Sequence, residues 1–160
     1  MPLEINLHSK VKQKIPAAFV KRVLEDASQY FEKLNSVSVS IVFVSDLEMR
    51  RLNRLYRHKD KATNVLSFQV IGDQITKADG RDLGDIIICY PEVAREMKKY
   101  KLTLQEDLAR LIIHGFLHLL GYDHETVGER KKMEEKENII LLKIDNKAQS
   151  SNVKSSSKSQ

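Results

Sequence analysis

Cysteine is almost missing from this 160-residue chain, with Cys89 as its one representative. A single thiol excludes an intrachain disulfide and fits a reducing compartment, usually the cytosol. The opening residues MPLEINLHSK lack the apolar core and cleavage site of a signal peptide. No apolar run is long enough to span a bilayer, so no membrane association is expected. Internal repeats are also absent. Acidic residues are missing from 146–160 (NKAQSSNVKSSSKSQ), which carry Lys147, Lys154 and Lys158. That segment has little to bury and is expected to be a disordered Ser/Lys-rich tail. It supplies +3 of the formal charge of +5, leaving residues 1–145 nearly balanced. Any polyanion site in the folded part must therefore be a local patch.

What remains is an ordinary globular composition, 41% hydrophobic and 31% charged, enough for one compact core. LEINLH alternates and reads as a strand. Pro16 opens a helix expected to run to about Lys33. VSVSIVFV is β-branched and reads as a second strand. Ser45 and Glu48 have capping-box spacing and start a helix, SDLEMRRLNRLYR. NVLSFQV is a third strand, GDQITKADGRD a loop or hairpin connection, and LGDIIICY an interior strand. Pro91 starts a short helix. Thr103 and Glu106 cap another, LQEDLARLIIHGFLHLL, ended by Gly121. Thr126 and Glu129 open a last helix, expected to end near Ile144. The fold class implied is α/β (α+β): one mixed β-sheet of about four strands packed against helices, in a single domain over 1–145.

Three of the five histidines fall in one string, His114-Gly-Phe-Leu-His118-Leu-Leu-Gly121-Tyr-Asp-His124. Helical positions four apart share a face, so His114 and His118 can reach one ion. Gly121 permits a left-handed turn that returns His124 to the same point. Three imidazoles with a fourth position open to water is the layout of a catalytic zinc; a structural site would more often use sulfur. The helix is apolar nearly all round, so it should be buried, with Asp107, Arg110, His114 and His118 on its one polar stripe.

Arginines cluster upstream. Arg50, Arg54 and Arg57 are spaced to share one helix face, opposite an apolar face of Met49, Leu52, Leu55 and Tyr56. Guanidinium groups match phosphate oxygens in pairs, so this stripe is a candidate phosphate contact. Asp85, Asp123 and Glu125 are candidate bases, while Ser67, Tyr90 and Tyr122 read as structural.

The histidine spacing is similar to the metzincin pattern HExxHxxGxxH, but the second position is Gly115, so the glutamate base of those proteases is missing. The longer string HGFLHLLGYDH resembles the YbeY family of bacterial rRNA maturation factors, described as single-strand-specific endoribonucleases. LNRLYRHKDKATNVLSF, LGDIIIC and the later Met133 and Glu137 extend the resemblance across residues 40–140. It implies a zincin-like helix, a zinc ion on His114, His118 and His124, a functional arginine that maps onto Arg57, and a cytoplasmic location. It also implies action on small-subunit rRNA and ribosome quality control, with RNA and the small ribosomal subunit as partners and no DNA. Three imidazoles would also accept nickel or another transition ion. Asn64 departs from the pattern, since the family often carries aspartate there. Two other functions fit the same residues: a metal-dependent peptidase, opposed by Gly115, and a non-catalytic ribosome-assembly factor with a structural metal.

Overall fold

The computed structural model describes residues 3–31, 34, 36–70 and 81–156, with side chains as far as Lys147. The elements run β1 (Glu4–Ser9), α1 (Ala17–Ser28), β2 (Val37–Val44), α2 (Asp46–Arg57), β3 (Val65–Gln69), β4 (Arg81–Cys89), α3 (Tyr90–Tyr100), α4 (Leu104–Leu119) and α5 (Val127–Ser156). The four strands form one mixed sheet in the order β1-β2-β4-β3. β1, β2 and β4 are mutually parallel, and β3 joins antiparallel at the edge. This is the α+β architecture expected from the strand and helix patterns.

Strand alternation sorts side chains to two faces. Val39, Ile41, Phe43, Ile86 and Ile88 face a core shared with α1, α4 and α5. Val44, Leu66 and Cys89 face a smaller cluster closed by Met49 of α2. Helix α4 lies on the first face and is nearly encircled: Leu108, Ile112, Ile113, Phe116 and Leu117 are fully buried. Helix α1 packs beside it through Val20, Val23, Leu24 and Ala27, the stripe of a helix with one buried side.

Capping chemistry fixes where the site-bearing helices start and stop. Ser45 Oγ accepts from the Glu48 amide at the start of α2, and Thr103 Oγ1 from the Glu106 amide at the start of α4. At the other end of α4, Gly121 has φ of +96°, and the Gly121 and Tyr122 amides donate to the His118 and Leu117 carbonyls. This is the Schellman closure that Gly121 was expected to supply, and it reverses the chain directly after His118.

Several boundaries differ from expectation. α1 stops at Ser28, five residues before Lys33. α5 runs to Ser156, well past Ile144, so the backbone of most of the segment expected to be disordered is helical. Of the loop expected over GDQITKADGRD, residues 72–80 lie outside the described residues, while Arg81 and Asp82 begin β4. The apolar face of α2 is also rotated. Met49 and Asn53 are buried, whereas Leu55 and Tyr56 are 56% and 58% exposed. Asn53 belongs inside because its Nδ2 donates to the Lys61 carbonyl and holds the loop that leads into β3.

Candidate metal and phosphate site

The three histidines of the motif converge. His114 and His118 come from successive turns of α4, and His124 from the loop that Gly121 turns back. Ring centroids are 4.7 Å apart for His114 and His118, 5.0 Å for His118 and His124, and 5.9 Å for His114 and His124.

Each ring is held by its Nδ1. His114 Nδ1 lies 2.6 Å from Glu137 Oε1, His118 Nδ1 lies 2.9 Å from the Tyr122 carbonyl, and His124 Nδ1 lies 3.2 Å from Asp123 Oδ1. A carbonyl and an ionised carboxylate can only accept, so the Nδ1 atoms carry the protons and the Nε2 atoms carry lone pairs. Yet His114 Nε2 and His118 Nε2 are 3.1 Å apart. Two lone pairs at that distance repel unless a proton or a metal ion lies between them. Burial, followed by the charges of His114 and His124, lowers the His118 pKa and disfavours the proton. Holding Nδ1 by a carboxylate or carbonyl is also how metal-ligating imidazoles are commonly fixed in orientation.

Glu137 was present in the sequence resemblance without a role. In the structure it supplies the carboxylate for His114 from α5. A sequence signal existed: Met133 and Ile140 are buried, so Glu137 sits on the same face of α5, a carboxylate where the helix period demands an apolar residue. Asp123 has its pKa lowered by the His124 amide and imidazole, from both of which it accepts. His118, Asp123 and His124 form a group whose ligand atoms all lie within 4.8 Å of one another.

Gly115 explains the missing protease glutamate. A Cβ built there would lie 2.8 Å from Ile86 Cγ2 and 3.1 Å from Ser67 Oγ. The position faces the sheet, not the histidines, and any side chain there would force the buried Ile86 to shift. Ser67 Oγ donates to the Gly115 carbonyl, so this serine is structural as expected, although it also borders the site.

A cavity of about 340 Å³ opens beside His118 and His124, lined also by Arg57, Ser67, Gln69, Tyr122, Asp123 and Glu125. Arg57 therefore reaches the histidine site from the end of α2. The rest of the expected arginine stripe does not. Arg50 makes a two-pronged pair with Asp60, and Arg54 lies 4.0 Å from the same carboxylate. Arg51 is tied to Glu48. Of the candidate bases, Glu125 and Asp123 line the cavity. Asp85 does not: it pairs across from Phe68 and alternates with Ile86, which faces α4, so it lies on the opposite face of the sheet. Asn64 takes a role that needs its amide. Its Nδ2 donates to Glu96 Oε1, in a cluster where Arg110 pairs with Glu96 and the buried Asp107. An aspartate there would add a third acid.

The family model described as Endoribonuclease YbeY matches residues 4–145. The chain belongs to the YbeY family. Endoribonuclease YbeY of Chelativorans sp. (strain BNC1) is 41% identical over 125 residues, covering 78% of this chain and 77% of the relative. Endoribonuclease YbeY of Buchnera aphidicola is 38% identical over 145 residues, covering 88% and 87%. Among solved structures, TM1509 from Thermotoga maritima superposes with a TM-score of 0.63 at 26% identity, covering 92% of this chain and 93% of that one. The YbeY scaffold thus carries the histidine cluster, the Gly115 contact and the Arg57 cavity described above.

Proposed function

We propose that this YbeY-family chain is a zinc-dependent endoribonuclease that cuts single-stranded RNA, with His114, His118 and His124 as metal ligands and Arg57 as the phosphate contact. The observation that carries the metal reading is the facing pair of His114 and His118 Nε2 atoms, 3.1 Å apart with both Nδ1 atoms on acceptors. His114 is chosen over Asp123 as third ligand for the same reason. Asp123 is already committed to the amide and ring of its neighbour His124, whereas His114 has a free lone pair aimed at His118.

A transition ion on three imidazoles would polarise a phosphoryl oxygen and make water acidic enough to attack near neutral pH. The chain's own residues do the rest. Glu137, the Tyr122 carbonyl and Asp123 fix the three rings. Arg57 supplies paired donors where charge grows on phosphate. Glu125, exposed at the cavity, is the carboxylate positioned to take a proton. Gly115 lacks the carboxylate base that peptidases of similar histidine spacing use, and it faces Ile86 and Ser67 of the sheet, which disfavours the peptidase reading.

The names of the relatives support RNA as substrate, and the family resemblance extends this to maturation of small-subunit rRNA and ribosome quality control in the cytoplasm. The test is metal analysis of purified protein beside cleavage of a defined single-stranded RNA. Stoichiometric zinc, cleavage lost with chelator and restored by zinc, is the expected result. A protein that cuts peptides, or one whose chelation lowers its melting temperature while no RNA turnover exists to lose, would overturn it.

A further inference from the structure

Helices α2 and α4 pack on opposite faces of the sheet. Met49 of α2 closes the cluster of Val44, Leu66 and Cys89, while Gly115 of α4 lies against Ile86 and Ser67 on the other face. One cavity nevertheless touches both helices, through Arg57 and His118, and Ser67 and Gln69 of β3 line it between them. β3 is an edge strand, with β4 on one side only. A cavity that reaches both faces beside the middle of an edge strand must pass around the unpaired edge of that strand.

The ladder fixes which groups point there. The Cys89 amide donates to the Asn64 carbonyl, and the Val70 amide to the Leu83 carbonyl. Antiparallel pairing alternates, and the register between these two bonds is unbroken. Asn64, Leu66, Phe68 and Val70 therefore turn their amides and carbonyls to β4, and Val65, Ser67 and Gln69 turn theirs away. The Val65 amide is occupied, since it donates to Asn64 Oδ1. Among the described residues, nothing pairs with the outward amides and carbonyls of Ser67 and Gln69. Gln69 is exposed and Ser67 half-buried.

Two residues make a short strip. A docked peptide strand uses a longer run of main-chain groups. One nucleobase needs only a donor beside an acceptor, which is what its Watson–Crick edge offers in return. In a duplex that edge is already engaged by the opposite base, so the strip suits unpaired bases alone. We propose that the Ser67–Gln69 edge of β3 holds one unpaired nucleobase beside the phosphate contacted by Arg57. The Gln69 amide donates to an acceptor on the base, and the Ser67 carbonyl accepts from the neighbouring base N–H. This rests on the endoribonuclease reading. The contact is made by main chain, so it tolerates different bases and excludes paired ones. Loss of one such hydrogen bond is worth about fivefold in KM.

The test removes the amide from the protein and its acceptor from the RNA. The zinc-loaded parent chain, Gln69→Ala and Gln69→Pro are compared on a single-stranded oligonucleotide with adenosines around the cut. Copies carry 1-deazaadenosine, which lacks the N1 acceptor, at one position at a time. Proline is tolerated on an edge strand where the N–H faces outward. Gln69→Ala removes the side chain and keeps the amide. The expected result is one position at which 1-deazaadenosine raises KM about fivefold for the parent and for Gln69→Ala. Gln69→Pro should show a KM raised by the same factor and no further penalty there, because the two changes remove one interaction. Melting curves and zinc content establish that the proline variant is folded, and the scan on the parent alone decides the matter if it is not. No penalty at any position, a penalty that persists in folded Gln69→Pro, or one already lost in Gln69→Ala would overturn the main-chain contact. Competitive inhibition by an extended peptide, with no 1-deazaadenosine penalty, would make the edge a protein-docking strand and overturn it equally. In each of these cases the parent's cleavage leaves the endoribonuclease reading standing. A zinc-loaded parent inert on all RNA would overturn that reading and this inference with it.

Discussion

Helices α4 and α2 each carry a polar stripe along an otherwise docked helix, and the two stripes behave differently. On α4 the stripe is partly enclosed. Asp107 is fully buried, Arg110 is paired, and His114 and His118 are both held by their Nδ1 atoms. On α2 the arginines lie in solvent, and most have an acid nearby: Arg50 and Arg54 share Asp60, and Arg51 pairs with Glu48. Only Arg57, at the last turn, joins the cavity. A buried polar group must find partners, so its position on a buried stripe already says that it is used. An exposed arginine carries no such obligation, and its spacing alone cannot say whether it meets substrate or a neighbouring acid.

The enclosed stripe should respond most strongly to change. His114→Ala, His118→Ala and His124→Ala should each lower bound metal below about a tenth of stoichiometric, since two imidazoles lose both geometry and affinity. RNA cleavage should fall to the level of chelator-treated protein. Stripping metal from the parent should lower its melting temperature as well, because a ligand present at a thousand times its Kd stabilises the fold by about 4 kcal/mol. Elemental analysis and melting curves of the three variants check both points. Full metal content in all three would dissolve the distinction between the helices.

The exposed stripe should split. Arg57→Ala should reduce kcat about a hundredfold or more, equivalent to roughly 2.7–4 kcal/mol for one preorganised donor, with metal content unchanged. Arg57→Lys should recover part of that, since an ammonium keeps the charge without the paired donors. Arg54→Ala, three residues earlier, should change stability by less than about 0.5 kcal/mol and leave kcat within about twofold. Equal effects at Arg54 and Arg57 would mean that the whole stripe binds RNA.

Glu137→Gln tests how far the enclosed stripe depends on α5. The amide still reaches His114 but no longer supports its ring with charge. Zinc affinity, measured by competition with a chelating dye, should fall about 10- to 100-fold, the usual scale for losing such a partner. Affinity equal to the parent's would reduce Glu137 to packing.

Much of this was legible in the sequence. The strands and helix starts followed from β-branched alternation and from the pairs Ser45–Glu48 and Thr103–Glu106, because those signals are local. The histidine string was legible because one helix and one glycine turn contain it. Glu137 and Asn64 took their roles from partners 23 and 32 residues away, which no local pattern encodes. The α2 face was misread because Asn53, polar by type, is buried to bind the Lys61 carbonyl, turning Leu55 and Tyr56 outward. The end of α5 was misread because composition gives no stop signal between Ile144 and Ser156, and serines and lysines tolerate a helix once it has begun.

The smallest expected effect lies in the N-terminal half of the α4 stripe and concerns a proton. Glu96 of α3 accepts from Asn64 and Arg110, yet its pKa is raised, first by burial and then by the adjacent Asp107 carboxyl. Asp107 Oδ2 is buried without a hydrogen-bond partner among the described residues. A proton retained on Glu96 would supply a donor between the two carboxyl groups. A carboxyl with a raised folded-state pKa binds its proton more tightly when folded than when unfolded. Its contribution is complete below the ordinary glutamate value of 4.5 and is lost as pH climbs through the raised value. Glu96→Gln fixes the neutral form and cannot lose that proton. Its melting temperature should therefore sit near or below the parent's at pH 5 and gain on it steadily toward pH 8. Each unit of pKa displacement is worth about 1.4 kcal/mol. Taking the difference between variant and parent cancels the other titrating groups. A difference that stays flat from pH 5 to 8 would mean that Glu96 is ionised throughout. Arg110 would then hold two carboxylates, making this half of the stripe an ordinary charge cluster like that on α2.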